Sequence, residues 1–100
     1  MPVIYKITYT NKKIYVGMDM TDSVNYFGSA DAKLIPQNFT PEERRNFTAR
    51  KEILWESETA TIGELRNRER EWIMKLGSHD PAIGYNRNPR FKPPIPGTQR

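Results

Sequence analysis

Cysteine is absent from this 100-residue chain. That excludes a disulfide framework and any thiolate metal site, and fits a reducing compartment. Long apolar runs are absent as well: no uninterrupted stretch of Ala, Val, Ile, Leu, Met, Phe, Trp, Tyr or Cys exceeds three residues. Neither a membrane-spanning helix nor a secretory signal core fits that pattern, so a soluble, cytoplasmic protein with no membrane partner is expected. Acids are absent from the last fourteen residues, which carry Arg87, Arg90, Lys92 and Arg100. Residues 1–86 hold 12 Lys/Arg and 12 Asp/Glu, so the net charge of +4 belongs to the end of the chain. Composition alone therefore argues little for nucleic acid. Also missing are a glycine-rich phosphate loop, a His/Cys zinc spacing and a Ser/His/Asp set.

What is present suggests one small domain over residues 1–88, followed by a basic, proline-rich tail at 89–100, extended or disordered. From Val3 to Tyr9 the sequence alternates Val3, Tyr5, Ile7, Tyr9 against Ile4, Lys6, Thr8, the period of a strand. "TNKK" reads as a turn and Lys13 to Gly17 as the returning strand. A two-residue loop would send Tyr15 to the face opposite Tyr5. A three-residue loop, Thr10 to Lys12, pairs Ile7 with Tyr15 and puts Tyr5 and Tyr15 on one face, at the expense of a left-handed Lys12. The three-residue loop is the expectation.

Residues 18–28 read as a loop, and Ser29 caps a short helix, Ala30 to Ile35, which Pro36 limits. Thr40, Pro41 and Glu43 form the start of a brief helix with a capping box. Phe47 to Glu56 reads as a third strand, placed inside the sheet because Ile53, Leu54 and Trp55 are all apolar. Thr61 and Glu64 open the longest helix, which runs to Leu76 and stops at Gly77. "GYNRNP" follows as a segment returning to the sheet.

One residue of the long helix breaks its pattern. Ile62, Leu65, Trp72, Ile73 and Leu76 make a core-facing stripe roughly 100° wide, and Glu69 falls near its centre. A carboxylate on a buried face needs a partner. Two readings stand: an ion pair with a neighbouring Arg or Lys, or a metal ligand or catalytic carboxylate at the floor of a cleft. Arg66, Arg68 and Arg70 read as the solvated face of the same helix. The Arg44–Arg45 and Arg50–Lys51 pairs are either surface charge or phosphate contacts.

In combination these pieces resemble the GIY-YIG nuclease family. "VIY" at 3–5 stands where the first motif belongs, "YVG" at 15–17 resembles the second, and "EREWI" at 69–73 the glutamate-bearing helix. "GYN" at 84–86 resembles the closing Tyr-Asn segment, and "NYFGSADAKL" suggests the subset with a Y-x-G-S stretch after the second motif. The resemblance implies an α+β fold with a three-stranded antiparallel sheet flanked by helices. It further implies a DNA endonuclease that hydrolyses phosphodiesters with one divalent metal, Mg²⁺ or Mn²⁺. In it Tyr5 would be the general base, Tyr15 would assist, Glu69 would hold the metal, and Asn86 matches a polar site residue near the domain's end. A free tyrosine is a weak base at neutral pH, and a nearby cation favours its phenolate.

The chain departs from the family in its cation. Where an arginine is expected after the second motif, residues 18–32 contain no Lys or Arg, which leaves Lys33 or Arg50 as stand-ins. Val3 replaces the first glycine. No separate DNA-specificity module is visible, so contacts with DNA are expected from Arg44, Arg45, Arg50, Lys51, Arg87 and Arg90. The alternative is a catalytically reduced member that binds nucleic acid or a protein.

Overall fold

Lys12 adopts the left-handed conformation, with φ 71°. It closes a three-residue loop in which its N–H donates to the Tyr9 carbonyl at 2.8 Å and the Tyr9 N–H donates to the Lys13 carbonyl at 3.0 Å. Asn11 supports the turn by accepting the Lys13 N–H at 3.1 Å. The register that follows pairs Ile7 with Tyr15 and Tyr5 with Gly17, so Tyr5 and Tyr15 share a face as the alternation predicts.

The structure, a computed structural model, describes residues 1–21 and 39–92. The expected helix Ala30 to Ile35, the loop residues 22–28 and Lys33 lie outside them. Among the described residues the order is β1 (Val3–Tyr9), β2 (Ile14–Asp19), α1 (Pro41–Arg45), β3 (Ala49–Glu56) and α2 (Ile62–Leu76). The strands form one antiparallel sheet in the order β2-β1-β3, an α+β arrangement with two helices. β2 runs two residues beyond the expected Gly17, because β1 starts at Val3 and offers partners to Met18 and Asp19. Among these residues no helix is long and apolar enough to cross a membrane.

β3 is an edge strand of this sheet, not an interior one; β1 is the centre. The apolar run that suggested burial on both faces has a different cause. A bulge lies between Ile4 and Tyr5 of the pairing, where Trp55 opposes Ile4 and Ile53 opposes Tyr5, with Leu54 in excess. An extra residue lets two neighbours face the same side. Leu54 and Trp55 both pack on the helix side of the sheet, while Ile53 is 43% exposed.

The sheet carries a core on each face. On one, Ile4, Val16, Leu65 and Ile73 are buried, with Met18, Leu54, Trp55, Trp72 and Leu76 packed around them. α2 closes that face, and both helices begin with the expected capping box, each cap contributing about 1 kcal/mol. Gly77 ends α2 in the left-handed conformation. Ile62, assigned to the buried stripe by its spacing, is 44% exposed in the first turn. The other face is aromatic: Val3, Tyr5, Ile7, Tyr9 and Tyr85 are buried, with Tyr15, Phe39 and Ala49 against them.

The return segment lies along the outer edge of β2. The Ile14 N–H donates to the Ile83 carbonyl at 3.1 Å, and the Tyr85 N–H donates to the Ile14 carbonyl at 2.9 Å. Gly84 sits where the two chains touch; a Cβ there would stand 2.5 Å from the Ile14 carbonyl oxygen and 2.6 Å from that of Ser78. Both obstacles are backbone and cannot swing aside. Gly84→Ala should therefore destabilise the fold by about 1–3 kcal/mol, read from denaturant unfolding. Lys12→Gly should do the reverse, stabilising it by up to about 1 kcal/mol, since glycine takes a left-handed φ without a Cβ penalty.

Candidate functional site

Glu69 lies on the side of α2 that meets the end of β2. Its carboxylate lines an open groove of about 420 Å³ together with Met18, Arg66, Asn67, Arg70 and Asn88. Among the described residues no ion pair or hydrogen bond closes on it, so the ion-pair reading of its buried position is not what these residues make. Burial pushes its pKa above the ordinary glutamate range, and the Arg66 charge opposes part of that rise. Arg66 and Arg70 flank it one position from the core stripe, and both line the groove. Both are exposed, as the solvated-face reading expects, and stand at the margin of the groove as well. The signal that separates them from Arg68 is the i, i+3, i+4 spacing of Arg66, Glu69 and Arg70, which gathers them on one side of the helix. Arg68 turns the other way, stacking over Trp55 at 5.1 Å and pairing with Glu71 at 3.3 Å.

Tyr5 approaches the same end of β2 from the opposite face. It is 0% exposed, and its ring and hydroxyl lie directly over Gly17, where any side chain would collide with them. That close approach accounts for the glycine of the "YVG" stretch. Tyr15 is half-buried on the same face. Gly17 thus lies beneath the Tyr5 phenol, and its neighbour Met18 lines the Glu69 groove on the other side. The described residues put the tyrosines and the carboxylate on opposite faces of one strand, near a shared segment, and do not bring them into a single groove.

The cations divide by face as well. Arg50 pairs with Thr8 and so belongs to the face away from Tyr5. Lys51, its neighbour, pairs with Ile7 and places its Nζ 4.7 Å from the centre of the Tyr5 ring, a cation–π contact. The sequence suggests Lys51 only as a candidate DNA contact; strand alternation combined with the register is what places it over Tyr5. Lys33 lies outside the described residues. Arg44 and Arg45 are exposed on α1, and Arg87 and Arg90 are exposed beyond the return segment.

Asn86 works on the backbone of β2. Its Oδ1 accepts the Val16 N–H and its Nδ2 donates to the Val16 carbonyl, each at 2.8 Å, so the side-chain amide stands in for a strand partner. Beyond Val16, no described backbone pairs with the outer edge of β2. Tyr9 serves packing. Burial, then the nearby phenols of Tyr15 and Tyr85, push its pKa up to about 12; it meets Tyr85 edge-on at 5.5 Å.

Among the described residues no three His, Cys, Asp or Glu side chains form a metal cage. The Glu69 groove offers few oxygen ligands: one carboxylate, with Asn88 also on its lining. That set suits Mg²⁺ or Mn²⁺, which bind through one or two carboxylates and complete their shell with water and phosphate. No family model matches the chain, and neither a curated protein nor a solved structure was found to match it.

The raised affinity of Glu69 for its proton has a measurable sign. A group whose folded pKa lies above its unfolded value favours folding at low pH and loses that contribution as pH rises through the folded value. At neutral pH the ionised carboxylate therefore costs stability. Glu69→Gln should raise the melting temperature at pH 7, and the difference should close below about pH 4, where glutamate is protonated in both states.

Proposed function

We propose that this chain is a metal-dependent DNA endonuclease of the GIY-YIG type, hydrolysing a phosphodiester at the end of β2. The observation that carries the reading is the Glu69 carboxylate: half-buried, raised in pKa, without a direct partner among the described residues, and flanked by two arginines in an open groove. A structural carboxylate on a helix stripe would be paired or replaced; one that destabilises its own fold is the kind kept for binding.

Each residue then has a role. Glu69 would hold Mg²⁺ or Mn²⁺, with water and phosphate completing its shell. The bound cation supplies charge stabilisation for the pentavalent transition state and lowers the pKa of an attacking water. Arg66 and Arg70 would clamp the phosphate oxygens beside it, positioning the scissile bond. Tyr5 would take the proton of the attacking water, with Lys51 placing a positive charge beside that phenol. Tyr15 lies next to it on the same face, and Asn86 fixes the β2 backbone from which Tyr15 projects.

A second reading rests on the burial of Tyr5. A phenol that is 0% exposed touches no solvent water in this arrangement, and the cation stacked on its ring is Lys51 of β3. That favours a catalytically reduced member which binds nucleic acid through the same groove.

Supercoiled plasmid separates the two. Nicking in Mg²⁺, abolished by chelation, reduced at least about 100-fold by Tyr5→Phe and lost in Glu69→Ala, is the expected result. Arg66→Ala should weaken binding and rate together. Folded protein that binds plasmid but leaves it intact at every metal concentration would establish the binding module instead. Nicking that persists in Glu69→Ala would remove the carboxylate from the mechanism.

A further inference from the structure

At the far end of the sheet from the Glu69 groove, three aromatic rings meet. Phe47 lies 5.2 Å from Phe39 and 6.2 Å from Tyr9, and Phe39 lies 6.4 Å from Tyr9, all centroid to centroid. Tyr9 is core, but Phe47 is 47% exposed. Half of a large apolar ring therefore faces solvent while its inner side is held by two other rings. Such a ring is rigid and flat.

The segments that meet at Phe47 carry three cations. The hairpin loop is tied to this spot by Thr10, whose hydroxyl donates to the Thr48 carbonyl at 3.0 Å and accepts the Thr48 N–H at 2.7 Å. Lys12 is exposed at the tip of the same hairpin loop, two residues beyond Thr10. Arg44 and Arg45, exposed in the last turn of α1, precede the ring by three and two residues. No ion pair among the described residues engages either arginine. Of the two acids on α1, Glu43 is turned back onto its own cap, accepting the Thr40 N–H at 2.8 Å. Glu42 is exposed on the same helix, so Lys12, Arg44 and Arg45 outweigh the two acids by one positive charge.

We infer that Phe47 is a stacking platform for an unpaired base of single-stranded DNA, with Lys12, Arg44 and Arg45 holding the adjacent phosphates. The chemistry is that of a flat π-face for the base and point or forked cations for the backbone, which together bind single strands with little sequence preference. Duplex DNA hides its bases from such a ring, so the platform selects frayed, looped or displaced strands. The inference rests on DNA as the partner of this chain, and not on cleavage.

The test is binding of a labelled oligothymidylate and of a duplex, by fluorescence anisotropy in the absence of divalent metal, with full-length protein. Phe47→Leu keeps the apolar packing and removes the π-face; Phe47→Trp keeps both. Phe47→Leu should weaken single-strand binding about 5- to 150-fold and duplex binding less than about twofold, while Phe47→Trp retains it. The pair Arg44→Ala and Arg45→Ala should weaken both and lower the single-strand salt slope by about 1.4. Unchanged single-strand affinity in a folded Phe47→Leu protein would overturn the platform, as would an equal loss for duplex. Wild-type protein that binds no single strand, including one whose exposed ring serves a protein partner, also overturns it. Plasmid nicking that survives in that case leaves the nuclease reading intact, whereas single-strand binding without nicking leaves the platform standing alone.

Discussion

The pairing of Ile7 with Tyr15 is the constraint on which the rest depends. A slip of one residue along β2 would exchange its two faces, because side chains alternate with period two. In the observed register Gly17 falls beneath Tyr5, the one residue that leaves room for its ring. Val16 then points into the helix core with Leu65 and Ile73, and its backbone meets Asn86 at the strand edge. The left-handed Lys12 is strain stored at the loop to secure all of this. One awkward dihedral, costing about 1–2 kcal/mol, orders two cores.

The sheet separates chemistry by face. The helix side holds the carboxylate and two arginines at its rim; the other side holds the phenols and the lysine over Tyr5. β2 is the partition between them, and it is thin: one strand, paired on its outer edge only as far as Val16 among the described residues. The bulge in β3 adds to the asymmetry by turning both Leu54 and Trp55 to the helix side, which leaves Tyr5 opposite the smaller Ile53 and open to Lys51 on that face.

Much of this was readable from residue order. The alternation from Val3 to Tyr9, two capping boxes and Gly77 marked the elements, and the position of Glu69 on the α2 stripe marked a candidate site. What escaped was tertiary in origin. β3 reads as an interior strand because its Ile53–Trp55 run is apolar, and only the bulge explains how an edge strand buries two of the three. Arg66 and Arg70 are the exposed charges the pattern suggests, but sequence periodicity locates the core stripe and not the groove at its margin. Lys51 gained its place over Tyr5 through the β1–β3 register, a long-range pairing that no local pattern encodes.

The Asn86 clamp links positions 70 residues apart to finish the edge of the first hairpin. During synthesis the chain emerges from its N-terminus, so β1 and β2 can pair long before Asn86 exists outside the ribosome. Until then the amide and carbonyl of Val16 face outward unsatisfied, in an apolar strand, as a template for any extended segment nearby. The nascent hairpin is therefore the stage at which this protein is most exposed to wrong partners, and the side chain that ends the exposure is among the last of the described fold to be made.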